Sequence, residues 1–438
     1  MSSLSDNILY HMLFSIVSRS LVLQTFRLDL WQTAVTDTSA YSLLLLGFCR
    51  RLRVIELGVG ATGITAQGVT VIISGIALCS VLHCLKLDIS GLLLDDENLS
   101  SFTRLSSSLR TLSLNFAGNR LTNSGVADLM SRISQLSNIQ HLDLNLSYNN
   151  MQNNTSHNLQ NIGELKNLSC LLLNLTGTML GDSAVTEFSM LAGCSKLQRL
   201  HLFVHNTQVR NRGMQTLLSL SKCHSVKSYE LHLPNALRQP VEISNYLGCN
   251  LAKIHIVFGG MRGGVGNMLQ DIAQLCEASA LQSLTLDFGR MRKSEALGDS
   301  ATRILAKLTL SRSIHTMDLF LEHNKISTDG LTNLVLAIRT NDVLHTLGLR
   351  VCHNRVCSRG GAILATLLSK KRLRSLTLSA ANNFLAETGV KAVVSGDISS
   401  NLKKCYIDLR GNMSDGLCHI ESYYAARLSC VADCCFFI

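Results

Sequence analysis

Apolar and polar residues alternate along this chain in short bursts, and each burst is followed by apolar positions at a longer period. The span Leu109–Leu136 shows the unit clearly. Leu109, Leu112, Leu114 and Phe116 alternate with Arg/Thr, Ser and Asn, which predicts a strand. Asn119 and Leu121 close it. Thr122-Asn-Ser-Gly125 combines turn residues with helix-capping residues. Val126, Leu129, Met130, Ile133 and Leu136 then recur at helical spacing. A strand, a tight corner and a returning helix therefore share one short span. A unit this small cannot bury its own apolar face and needs copies on either side.

The copies are present. The same frame starts at Leu23, Leu52, Leu82, Leu109, Ile139, Leu168, Leu197, Val226, Leu251, Leu281, Ile314, Leu344, Leu373 and Leu402. The period is about 29 residues, held over almost the whole chain. An asparagine recurs ten positions into the frame, at Asn119, Asn149, Asn324, Asn354, Asn383 and Asn412. Stacked corners leave backbone N–H and C=O groups pointing inward, and a short amide side chain satisfies both kinds.

These residues resemble the leucine-rich-repeat family, in its long, helix-containing, ribonuclease-inhibitor-like class. The resemblance spans roughly Leu21 to Ala426. It rests on the leucine frame, the asparagine, and the glycine near each helix start (Gly125, Gly330, Gly360, Gly389). One departure stands out. The family frame is L-x-x-L-x-L-x-x-N, whereas here the asparagine lies two residues later and an extra apolar residue (Phe116, Leu146, Leu175, Leu321) intervenes. That insertion reads as a longer strand. The resemblance implies an α/β solenoid, a curved horseshoe with a parallel sheet on its concave side and helices on its convex side.

At 438 residues a chain ordinarily holds two or three domains, but in a solenoid each repeat contacts only its neighbours. Only two prolines occur, Pro234 and Pro240, and no linker-like stretch is visible. The expected organisation is a capping helix or partial repeat over 1–20, an array of about 14 repeats over 21–426, and a cysteine-rich tail over 427–438. Ile8–Val17 is apolar but lacks a basic flank and a clear cleavage site, so it fits a cap better than a secretory signal. Val69–Leu82 is too short to span a bilayer.

Fifteen cysteines suggest a disulfide framework until their positions are compared. Cys49, Cys79, Cys194 and Cys223 each lie three residues before a frame start, a column of small apolar filler. Reduced thiols in a cytoplasmic or nuclear protein are the expected state. The N-x-S/T sequons fall largely out of the repeat itself, and glycosylation is not expected.

In a parallel solenoid sheet the third, fifth and seventh frame positions face the open surface. Eight acidic and six basic residues occupy them, a net of about −2, while the whole chain carries +10. The excess basic charge lies elsewhere, so this surface is no basic groove and nucleic acid is not an expected ligand. A mixed strip suits a protein partner. The candidate contact residues are Asp143, Asn145, His201, Phe203, Glu230, His232, His255, Asp287, Asp318, Phe320 and Arg350.

The irregular repeats are a second lead. The eighth is short and contains LPNALRQPVEI, which predicts a change of curvature or a seam between two sub-arrays. The loops of the ninth and tenth carry Arg262, Arg290, Arg292 and Lys293, a candidate basic patch. The glycine run 259–266 lacks the Gly-Lys-Ser/Thr ending of a phosphate loop. Cys352-His353-x3-Cys357 is half a zinc pattern with no second half. No spacing unites a nucleophile, a base and an orienting group. No catalytic residue, cofactor or metal is therefore expected, and the protein is read as a monomer. The tail Cys435-Phe-Phe-Ile438 has the shape of a lipidation box with unusual aromatic middle residues; the competing reading is that it folds back over the last strand.

Two functions remain. The first is a non-catalytic binding module or scaffold that meets a protein partner through the concave sheet and its loops. The alternative is a regulator of a small GTPase, because the Ran GTPase-activating proteins resemble this chain in repeat length and class. Those proteins carry a long acidic C-terminal segment that this chain lacks, and no catalytic arginine can be matched.

Overall fold

The computed structural model describes residues 6–19, 22–153, 160–234, 243, 247–248, 250–259, 265–289, 291–412 and 433–437. The chain divides into two compact units, Met1–Val226 and Lys227–Ile438, and the division falls at the eighth frame start.

In the first unit, strands β1 to β7 are Thr25–Asp29, Val54–Gly58, Cys84–Asp88, Thr111–Asn115, His141–Asn145, Cys170–Asn174 and Arg199–Phe203. Each pairs in parallel with the next. In the second unit, β8 to β15 are Ser228–His232, Lys253–Val257, Ser283–Asp287, Thr316–Phe320, Thr346–Arg350, Ser375–Ser379, Lys404–Asp408 and Asp433–Phe437, again paired in parallel. A helix or short 3-10 segment follows most strands. Each unit is an α/β leucine-rich-repeat solenoid.

Every strand from β1 to β14 covers the third to seventh frame positions. The fourth and sixth positions, such as Leu112, Leu114, Leu142 and Leu144, are buried. They pack with the inward helix residues, in the fourth repeat Val126, Leu129, Met130 and Ile133. At about 25 cal/mol per Å² of apolar surface removed from water, this continuous core is the main force holding the stack.

The extra apolar residue does not lengthen the strand. Phe116, Leu146, Leu175 and Leu321 are buried just after the strand ends. Where the seventh position is Asn or Asp, its side chain ends the strand instead. Asn115, Asn145 and Asn174 accept from the N–H two residues on at 3.0–3.1 Å, and Asp29, Asp88 and Asp287 do the same. This side-chain turn bends the chain away from strand geometry and drops the next residue into the core.

The asparagine ladder is built as the amide chemistry requires. Asn149 Oδ1 accepts from Leu121 N–H, and its Nδ2 donates to the carbonyls of Phe116 and Leu146. Asn354 repeats the arrangement with Ile326, Leu321 and Val351.

A second ladder joins the helix starts. The first helical residue of one repeat accepts from the backbone N–H where the next helix begins. The pairs are Asp6–Thr36, Asp37–Thr65, Asp96–Thr122, Asp182–Arg210, Asp299–Ser327 and Thr328–Cys357, at 2.6–3.0 Å. Two of the glycines near the helix starts, Gly125 and Gly330, belong to this arrangement. A Cβ on Gly125 would lie 2.1 Å from Asp96 Oδ1, and one on Gly330 would lie 2.2 Å from Asp299 Oδ1.

The described cysteines are free thiols, and Cys49, Cys79 and Cys194 are buried. Burial pushes the Cys79 and Cys194 thiols up to about 11. At the C-terminal end, β15 pairs with β14 and places Cys435 opposite Tyr406, so the tail covers the last strand. Val431 lies 29 residues after Leu402, and β15 covers the third to seventh positions of a frame counted from it. No described helix is long and apolar enough to cross a membrane.

Candidate functional site

The register sets the third, fifth and seventh side chains of neighbouring strands in rows on the face opposite the core. In the first unit these rows line an open groove of about 600 Å³, which includes Arg27, Glu56, Lys86, Asp143, Asn145 and Phe203. Several of its polar side chains have partners on neighbouring strands. Glu56 bridges Arg27 at 2.9 Å and Lys86 at 3.0 Å. The Lys86 hydrogen bond, with help from Arg27, holds the Glu56 carboxyl below its usual range. Ser113 Oγ donates to Asp143 at 2.9 Å, and Asn115 Nδ2 donates to Asp88 at 2.9 Å. His201 and Phe203 lie half-buried on β7. Burial, reinforced by the Arg199 charge, lowers the His141 pKa, so this imidazole favours its neutral form.

In the second unit the structure brings together three residues that the sequence placed in one row without joining them. Glu230 and His232 lie two apart on β8, and His255 is the register partner of Glu230 on β9. Glu230 Oε1 is 2.9 Å from His232 Nε2 and 3.2 Å from His255 Nδ1. The two imidazole rings meet edge to face at 5.8 Å.

Further along this face, Asp318 leans into the space left by Gly348. A Cβ there would lie 2.0 Å from Asp318 Oδ1. Burial raises the Asp318 carboxyl, and the positive charges of Arg350, His255 and Lys253 offset this in part. Arg350 stacks over the Phe320 ring, 4.3 Å from its centroid.

Some candidates also have a structural role. Asn145 and Asp287 use a side-chain oxygen to end their own strands. Arg262 and Arg290 of the expected basic patch lie outside the described residues; Arg292 and Lys293 are exposed beside a short 3-10 turn, Lys293–Glu295. Cys435 is exposed. Gly348 was missed as part of the site. An inward glycine beside an aspartate one strand away is the signal, and Gly58 beside Asp29 repeats it, with a Cβ-to-Oδ1 distance of 2.5 Å.

No protein-family model matches the chain, and no curated protein matches it significantly. Solved structures do. One is an internalin from Listeria monocytogenes, with a TM-score of 0.42 and 14% identity over 98% of this chain and 95% of that one.

Proposed function

We propose that the chain is a non-catalytic recognition module that binds a protein partner through the open faces of its sheets. The observation that carries this reading is the register itself. Variable third, fifth and seventh side chains are laid in rows on a fixed backbone, and in the first unit they line a wide groove of mixed charge. Arg27, Glu56 and Lys86 are held by one another and Asp143 by Ser113 across strands, as on a rigid surface prepared for contact. Repeats with helices of 12 and 13 residues, Ala66–Ala77, Asn123–Ser134 and Thr328–Thr340, support the ribonuclease-inhibitor-like class. Free thiols are what a reducing compartment maintains, which supports a cytoplasmic or nuclear location. We read the protein as a monomer and expect no nucleic-acid ligand.

Affinity capture from cells, read by mass spectrometry, tests this reading. The full chain is compared with a Glu56→Lys/Asp143→Lys variant whose folding is checked by circular dichroism. The variant is expected to lose the partners that the parent retains. An identical partner set would show that the open face of the first unit is not the contact. Stimulated GTP hydrolysis by any of a panel of small GTPases would replace the scaffold reading with the regulator reading.

A further inference from the structure

We propose that Glu230, His232 and His255 form a binding site for a divalent transition metal of the zinc class on the open face of the second unit. The site follows from strand geometry. Residues two apart on a strand share a face, and neighbouring strands are about 4.8 Å apart, so β8 and β9 aim all three side chains at one point. The three ligand atoms all lie within 4.8 Å of one another, and two of the three edges are 2.9 and 3.2 Å. A tetrahedral ion with bonds of about 2.0–2.1 Å has ligand–ligand edges of about 3.3–3.4 Å. These two edges are near that value, and the third lies within 4.8 Å.

The donor set selects the metal. Two imidazoles and one carboxylate suit zinc, cobalt and nickel, whereas magnesium and calcium require oxygen ligands. The side chains are 22%, 19% and 31% exposed for His232, Glu230 and His255, so the ion has a route in from the open face. With three protein ligands, the fourth position points away from the sheet. It is open to water or to an oxygen or nitrogen of a bound molecule. The site stands whether or not a protein partner uses this face.

A carboxylate accepting protons from two imidazoles would have similar spacing, and the test separates the two cases. Eleven described cysteines are free thiols, a ligand class that competes for zinc, so cobalt(II) is the probe. Thiolate ligands add intense near-ultraviolet charge-transfer bands to a cobalt spectrum, and a nitrogen–oxygen site shows only its visible bands. Reduced, chelator-treated full-length protein is titrated with cobalt(II). One equivalent is expected to give visible bands without the thiolate feature, displaced by zinc(II) and unaffected by excess magnesium(II). His255→Asn and Glu230→Gln, each checked by circular dichroism, are expected to weaken cobalt binding at least tenfold. Absence of these bands in the parent protein overturns the proposal. So does a spectrum of thiolate type only, or retention of the bands at full strength in whichever variant folds.

Discussion

The open faces of the two units are built on the same frame and differ in what their polar side chains do. In the first unit, Glu56 bridges Arg27 and Lys86 across three strands, and Asp88 and Asp143 accept from Asn115 and Ser113. In the second, two imidazoles converge on Glu230, Asp318 presses against a glycine, and Arg350 lies over a ring. Strand length and register are the same, so the difference comes from the side chains at the fifth and seventh positions. The scaffold sets where a group stands, and the residue chosen there sets whether the surface responds to salt, to protons or to metal.

If the scaffold is common to both units, its loss should be felt equally in both. Asn149→Ala and Asn354→Ala each strand several buried backbone groups. Each is expected to cost about 3 kcal/mol in denaturant unfolding. A loss well below ~1 kcal/mol at one site only would show that the two units do not share this support.

Gly125→Ala and Gly330→Ala, one in each unit, should cost about 1–3 kcal/mol, because the added methyl meets Asp96 or Asp299. Combining each with Asp96→Ala or Asp299→Ala should give less than the sum of the single losses. Full additivity would exclude the carboxylate as the source of the clash.

Asp318 and Glu56, one in each unit, should also respond to pH with opposite sign. Folding raises the Asp318 pKa, so its carboxylate is disfavoured in the native state. The resulting penalty is absent below the folded and unfolded pKa values and grows as pH rises through them. Asp318→Asn should therefore raise Tm at pH 7 and lose that advantage at pH 3. Glu56 is the reverse: its pKa is lowered, so its contribution is present at neutral pH and is lost as pH falls through the folded value. Glu56→Gln should lower Tm slightly at pH 7, and added salt should shrink the effect. The same sign for both variants would break the contrast.

The smallest effect is expected at a strand end. Asn145→Asp keeps the turn-forming oxygen that Asp88 and Asp287 supply elsewhere, so stability should stay within about 0.5 kcal/mol. A larger loss would mean that the Asn145 amide N–H₂ has a role of its own.

The frame was readable in the sequence because leucine and asparagine positions repeat at a fixed period. Burial of Leu112 and Leu114 and the Asn149 bonds followed directly from it. The role of the seventh position was not readable. Asn145 looks identical in sequence whether its amide meets a partner or ends a strand, and only the turn to Ser147 distinguishes the two. The convergence of His232 and His255 on Glu230 depends on register across the shortened eighth repeat, where the period fails. Gly125 was visible, but its reason, Asp96, lies one repeat away and carries no local mark.

The ladder at the helix starts has a consequence for how such a chain grows. Thr36 donates its N–H to the repeat before it, and Asp37, the next residue, accepts one from the repeat after it. Socket and plug are adjacent on the chain, so a duplicated whole repeat arrives with both halves of the joint and fits between its neighbours without further change. A fractional insertion would separate them and leave a helix start without its cap. Arrays of this kind are therefore free to lengthen in whole steps, and open-face residues are free to diverge afterwards because the joint lies elsewhere.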